Sequence, residues 1–136
     1  MKIKLIAIIT FVIGGLITLI VGWYFYTMKV PGIDGVEADY NVTADELYNA
    51  FEQEEAKAME LYEGKVISVQ GEIISIKDNE KGTNITLKAE NAMIGGINCS
   101  FNNAINEQSK GDIIRIKGRC QGLLMDVILN NCVVNE

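Results

Sequence analysis

The chain has 136 residues, a formal net charge of −6 and no histidine. The absence of histidine excludes Ser-His-Asp and Cys-His nucleophile systems, histidine-ligated metals and the side chain best suited to proton transfer near neutral pH. Beyond residue 30 the chain carries nine basic and eighteen acidic residues, a formal charge of −9. Such a field repels phosphate backbones and anionic lipid headgroups, and it favours solubility or cationic partners.

An uncharged, apolar segment of 22 residues runs from Leu5 to Tyr26. A helix needs about 20 apolar residues to span the hydrocarbon core of a bilayer. Trp23 and Tyr24 near its far end are typical of a headgroup belt. The segment is longer than the apolar core of a signal peptide, and neither a small-residue cleavage motif nor a lipid-accepting cysteine follows it. The sequence therefore predicts an uncleaved transmembrane signal anchor over residues 1–28.

The charges that flank this segment predict its orientation. Lys2, Lys4 and the amino terminus lie before it and only Lys29 lies directly after it, so the positive-inside rule places the N-terminus in the cytoplasm. The rest of the chain is then extracytoplasmic. Small residues recur at every fourth position of the segment, at Thr10, Gly14, Thr18 and Gly22. They allow self-association through the membrane helix, although ordinary membrane-helix composition also explains them.

A linker and one amphipathic helix are predicted next. Residues 29–42 contain the only proline, two glycines and no apolar period, a composition typical of a linker. Thr43 and Glu46 have the spacing of a capping box, which predicts a helix from about Ala44. Gly64 ends it. Its apolar stripe follows three- and four-residue intervals and consists of Leu47, Ala50, Phe51, Ala58, Leu61 and Tyr62, with Glu54 inside it.

After Gly64 the apolar period changes from 3.6 to 2, which indicates strands. The predicted strands are 67–77, 84–88, 97–102, 113–120 and 126–134, with a short polar helix or loop over 103–110. Gly71 interrupts the first strand, and a glycine at such a place often marks a bend where one strand serves two sheets. The predicted fold is mostly β with helices: residues 43–136 form a five-stranded OB-fold β-barrel preceded by the amphipathic helix.

Several motifs of the outer domain carry a family resemblance. They are TADEL at 43–47, LYEGKVISVQGEI at 61–73, INCSF at 97–101, KGDIIRIKGRCQG at 110–122 and VILNNC at 127–132. With them the chain resembles the tRNA_anti-like OB-fold family of bacterial envelope proteins, many of which are described as lipoproteins. The resemblance implies an OB-fold in the bacterial cell envelope. The family is named for a likeness to tRNA-anticodon-binding domains, and the name implies no particular activity.

OB-folds that bind single strands use aromatic rings and a positive groove on the outer face of their first three strands. We expect Ile67, Val69, Ile85, Leu87, Ile97, Cys99 and Phe101 to point inward. The outward face is then made of Ser68, Gln70, Asn84, Thr86, Lys88, Asn98, Ser100 and Asn102. This face contains no aromatic side chain and only one basic residue. It therefore suits hydrogen bonding to a glycan, a peptide or the edge of another protein. A plain solvated face is the alternative.

Other side chains support the rival functions. Arg115, Lys117 and Arg119 alternate along the fourth strand and are the candidates for a nucleic-acid interface, although the charge of −9 disfavours it. Glu54 is the one candidate for catalysis, through desolvation in its apolar stripe. We predict that the chain is not an enzyme and has no cofactor.

Three cysteines lie in predicted strands, at Cys99, Cys120 and Cys132. An extracytoplasmic location permits one disulfide, either between Cys120 and Cys132 or between Cys99 and Cys132. Buried free thiols are the third possibility. A zinc site is not expected, since three cysteines without a Cys-x-x-Cys pair lack the usual ligand spacing.

The sequence as a whole predicts a membrane-anchored, extracytoplasmic OB-fold module that binds or scaffolds an envelope partner. The alternatives are a nucleic-acid-binding protein and a sensor of a small ligand.

Overall fold

The computed structural model describes residues 1–28 and 32–135. It divides the chain into two units, of which the first ends at Pro31 and the second begins at Gly32. The part of the predicted linker at 29–31 lies outside the described residues.

The first unit is one long helix, α1 (Lys2–Thr27). An 18-residue window of it has a mean hydropathy of 2.7, so by length and composition it can cross a membrane. Two of its threonine hydroxyls donate hydrogen bonds to carbonyls of the same helix. Thr10 Oγ1 donates to the Ile6 carbonyl and Thr18 Oγ1 to the Gly14 carbonyl, each over 2.9 Å. Bonds of this kind satisfy polar groups in an apolar medium. Three of the four small residues that repeat along the segment, Thr10, Gly14 and Thr18, lie along one shallow groove.

The second unit is a closed, five-stranded barrel with a helical cover. Its elements are β1 (Tyr40–Thr43), α2 (Ala44–Gln53), α3 (Glu55–Tyr62), β2 (Val66–Asn79), β3 (Gly82–Lys88), β4 (Gly96–Ser100), β5 (Ile113–Leu123) and β6 (Val127–Val134). The strands follow one another around the barrel in the order β2-β3-β4-β6-β5, and β5 closes on β2. This strand order confirms the predicted OB-fold barrel and the mostly β class.

β2 pairs with two different strands of the barrel, and the change of partner lies at the glycine that the sequence marks as a bend. Its first half pairs with β5, from Val66 to Glu72, and its second half pairs with β3, from Ile73 onward. A Cβ atom at Gly71 would lie 3.0 Å from the Ala44 Cβ atom and 3.2 Å from that of Leu87. The glycine therefore lets α2 approach the point where the strand changes partner.

The core confirms the predicted alternation. All seven residues expected to point inward are buried, with exposed fractions of 0% to 6%: Ile67, Val69, Ile85, Leu87, Ile97, Cys99 and Phe101. Leu47 and Phe51 of α2 and Ala58 of α3 complete the same cluster. Leu61, expected in the apolar stripe, is exposed by 37%.

The amphipathic helix is broken where the sequence predicts a continuous one. Thr43 and Glu46 form the expected capping box, but Glu54 leaves helical backbone with φ −142° and ψ 72° and separates α2 from α3. The break lets α2 contact β1 to β4 and β6 while α3 contacts β5. One straight helix cannot follow both surfaces.

One further segment differs from the predicted pattern, and a second one settles an alternative that the sequence leaves open. β1 lies mostly in the range assigned to the linker and pairs in parallel with β2, from Tyr40 opposite Ile67 to Thr43 opposite Gln70. Residues 103–110, for which the sequence leaves a helix or a loop open, form a loop.

Candidate ligand-binding face

The outer face of β3 and β4 presents a ladder of uncharged polar side chains. Asn84 is paired with Ser100, and Thr86 with Asn98. All four are half-buried, so each remains accessible to a ligand. Amides and hydroxyls both donate and accept hydrogen bonds. We call these four residues the polar ladder.

The remaining predicted residues of this part of the face lie at the two ends of the ladder. Lys88 is exposed and paired with Gly96. Asn102 is exposed just beyond β4, and its Nδ2 atom donates to Asn131 Oδ1 over 3.0 Å. Asn131 has a φ of 53°, the one positive φ among the described residues other than glycine. Asparagine adopts this left-handed backbone more readily than most other residues.

A cavity of about 240 Å³ adjoins this end of the ladder. Its polar wall is formed by Asp34, Asn102, Asn103 and Asn131, and its apolar wall includes Ile33 and Phe101. Two neighbouring strand positions also extend the face, because Ser75 is paired with Thr86 and Lys77 with Asn84. Ser75 and Lys77 are not among the eight predicted face residues, although they alternate with apolar residues in the sequence. The register shift between Ile73 and Ser75 precedes both of them.

Two of the eight predicted residues lie neither in the ladder nor at its ends. Ser68 is exposed by only 1%, which corrects its expected place on an open face. Its hydroxyl lies 3.4 Å from Asn135 Nδ2, which donates to it, so the chain that follows β6 covers it. Gln70 is exposed, but its Oε1 atom accepts a hydrogen bond from Arg115 Nη2 over 2.7 Å.

The three basic residues of β5 all bind the protein itself. Arg115 donates to Gln70, Lys117 Nζ donates to the Val36 carbonyl over 2.7 Å, and Arg119 Nη1 donates to the Gly64 carbonyl over 2.8 Å. They lie on the β2–β5 side of the barrel rather than beside the polar ladder. Their alternation along β5 is confirmed, and each side chain has a structural partner.

The three thiols are free and buried. A hydrogen bond with Cys132 and burial in the core raise the pKa of the Cys99 thiol. Burial raises the pKa of Cys120. Two register shifts in the β5–β6 pairing place Cys120 opposite Leu129, and the Cys132 sulfur lies against Gly118. Cys120 and Cys132 are therefore not opposite each other.

The one predicted candidate for catalysis lies at the surface of the domain. Glu54 is exposed at the break between α2 and α3, where its carboxylate pairs with Lys57 Nζ at 3.1 Å. Within residues 1–28 and 32–135, no group of three metal-ligating side chains is close enough to hold an ion.

A family model named tRNA_anti-like matches residues 1–134. The chain belongs to the tRNA_anti-like family. A solved structure with the same fold is a lipoprotein from Klebsiella pneumoniae subsp. pneumoniae MGH 78578 whose name proposes nucleic-acid binding. It is 22% identical, aligns over 79% of this chain and 100% of its own, and has a TM-score of 0.59. A comparison with curated proteins gives no match.

Proposed function

We propose that this tRNA_anti-like protein is a non-enzymatic binding module anchored in the bacterial cell membrane by a single helix. In this proposal the N-terminus is cytoplasmic and the OB-fold domain binds an envelope protein, peptide or glycan outside. The membrane helix is supported by the length and hydropathy of α1, and the orientation by the two lysines before it.

The polar ladder carries the proposed binding role. Four half-buried side chains on adjacent strands offer donors and acceptors at a spacing of about 5 Å, which matches cross-strand neighbours. Peptide backbones and sugar hydroxyls present donors and acceptors of the same kind. A surface built of Asn, Ser and Thr adapts to such groups without the desolvation penalty of a buried charge.

The proposal is tested with the full chain in lipid nanodiscs, by thermal shift against panels of peptides and envelope glycans. A ligand present at a hundred times its Kd stabilises the folded state by about 2.7 kcal/mol. Thr86→Val with Asn98→Leu removes the polar groups of one of the two cross-strand pairs of the ladder, and we expect the shift to disappear. Gln121→Ala, an exposed polar change on β5, should leave it unchanged. A shift that survives the double variant contradicts the role of the ladder.

Nucleic-acid binding is the second candidate, because the lipoprotein of the same fold from Klebsiella pneumoniae has a name that proposes it. Filter binding of labelled oligonucleotides at low salt tests it, because phosphate contacts make affinity depend steeply on salt. We expect no salt-dependent retention, since Arg115, Lys117 and Arg119 are engaged within the domain. Salt-dependent binding that is lost when all three become glutamine would replace our proposal with this one.

A further inference from the structure

Two loops at one end of the barrel carry four large apolar side chains that are almost fully exposed. Met93 and Ile94 precede β4 and are exposed by 98% and 79%, while Leu124 and Met125 precede β6 and are exposed by 80% and 78%. We call these four residues the apolar lip.

The backbone holds the two loops side by side. β4 and β6 are parallel neighbours, with Ile97 opposite Val127, so both loops lie at the same end of the barrel. Asp126 Oδ1 accepts a hydrogen bond from the Gly96 N–H over 2.9 Å. The same carboxylate leaves no room for a side chain at Gly95. Ile94 directly precedes Gly95, and Met125 directly precedes Asp126, so the contact between Gly95 and Asp126 holds the two halves of the apolar lip together.

The fold does not use these four apolar side chains in its core. The barrel core is complete without them, and clustered exposed apolar residues commonly mark an interaction site. Two of the four are methionines, whose unbranched, polarisable side chains adapt to varied apolar partners. These properties favour a surface that binds an apolar segment.

The charges beside the apolar lip favour a basic partner. Residues 44–62, which form α2 and α3, contain six acidic residues and one lysine. α2 adjoins the loop of Met93 directly, because Asp45 Oδ1 accepts from the Glu90 N–H over 2.6 Å and Asn49 bonds to Asn91 over 2.7 Å. An acidic surface of this kind attracts cations and repels anionic lipid headgroups.

The apolar lip also lies away from the point where the chain enters the domain. Ile33, the first buried residue of the domain, lines a cavity with Val133 and Val134 at the end of β6. The lip flanks the start of the same strand.

We propose that the apolar lip docks a basic, amphipathic segment of a partner protein. Its apolar side chains pack on Met93, Ile94, Leu124 and Met125, and its lysines or arginines face the acid-rich α2 and α3. An amphipathic helix with apolar residues at three- and four-residue intervals has this character. This docking site is separate from the polar ladder and does not depend on it.

The probe is a synthetic 14-residue helical peptide made of leucine and lysine, with leucine along one face. Its binding to the full chain in phosphatidylcholine nanodiscs is measured by fluorescence anisotropy, with empty nanodiscs as the blank. Leu124→Ser with Met125→Ser should weaken binding at least tenfold. The matched control is Ile113→Ser, because Ile113 is an exposed apolar residue of β5 (74%) outside the lip. It should change the affinity less than twofold.

Two further measurements keep the proposal falsifiable. A peptide of the same composition with leucine and lysine scrambled should bind at least tenfold more weakly, because charge alone does not fill the lip. Equal binding by both peptides, or by wild type and the double variant, overturns the proposal. Retention of the nanodisc-held chain on anionic vesicles, lost in the double variant, would instead assign the lip to a lipid surface.

Discussion

Arg119 Nη1 donates to the Gly64 carbonyl oxygen over 2.8 Å, joining β5 to the turn that ends α3. Lys117 Nζ makes a comparable bond to the Val36 carbonyl, 81 positions earlier in the chain. Both carbonyls lie at places where the chain changes direction around the barrel. Lys117 and Arg119 therefore tie the segments before β2 to the closed sheet, which gives them a role that requires no external phosphate.

The first prediction concerns this role. Replacing Lys117 and Arg119 with glutamine removes two bonds to carbonyls and should lower the free energy of unfolding by about 1–3 kcal/mol. A bond from a charged donor contributes about 1.5–3 kcal/mol, and solvent exposure of the side chains reduces that contribution. Denaturant unfolding in micelles, followed by far-UV circular dichroism, measures it. Lys81→Gln, an exposed change in the β2–β3 turn, serves as the control. Unchanged stability of the double variant would contradict the structural role.

The capping box gives a second prediction. Thr43 N–H donates to Glu46 Oε2 over 2.8 Å, and Glu46 N–H donates to Thr43 Oγ1 over 3.2 Å. Thr43→Ala leaves the helical N–H without its side-chain acceptor and should cost about 1 kcal/mol. Thr43→Ser retains the hydroxyl and should cost clearly less. Equal losses in the two variants would show that the hydroxyl does not stabilise α2.

Gly118 gives a third prediction, on packing. A Cβ atom there would lie 2.6 Å from the Cys132 sulfur and 2.9 Å from the Leu129 Cβ atom. Gly118→Ala should therefore destabilise the barrel by about 1–3 kcal/mol through overpacking. Gln121→Ala on the same strand should change stability by less than about 0.5 kcal/mol, as is usual for exposed sites. An unchanged free energy of unfolding in Gly118→Ala would mean that β6 shifts away from position 118 at little cost.

The buried thiols give a fourth prediction, on pH. A hydrogen bond with Cys132 and, after it, burial raise the pKa of the Cys99 thiol above its ordinary value of 9.0. Above pH 9 the unfolded chain releases the Cys99 proton while the folded chain keeps it, so the free energy of unfolding falls as pH rises. The fall approaches about 1.4 kcal/mol per pH unit for each such thiol.

Denaturant unfolding between pH 7 and pH 10 measures this slope. Stability should be flat with respect to the thiols up to about pH 8, and the decline above pH 9 should be shallower in Cys99→Ala. The comparison uses the slope, because the substitution also removes packing. An equally steep decline in the variant would exclude Cys99 as its source.

Local patterns predicted the elements that depend on local physics. Alternation identified the inward residues of β2, β3 and β4, because a strand reverses its side chains at every residue. The capping box identified the start of α2. The sequence also indicated that Gly71 marks the place where β2 changes partner.

Features set by distant contacts were not predictable. β1 has four residues and forms by pairing with β2, about 27 positions later. The break at Glu54 follows from the different strands that α2 and α3 contact, and neither glycine nor proline marks it. Ser68 alternates as an outward residue, yet Asn135 covers it. The apolar lip depends on two loops that only the parallel pairing of β4 and β6 brings together.

The orientation of the domain is the claim on which the proposed envelope role depends. Alkaline phosphatase and green fluorescent protein, each fused after Glu136 in bacterial cells, report it directly, because the first is active only outside the cytoplasm and the second fluoresces when folded inside. We predict high phosphatase activity and little fluorescence, with the pattern weakened when Lys2 and Lys4 become glutamine. Strong fluorescence without phosphatase activity would place the OB-fold domain in the cytoplasm and contradict the account.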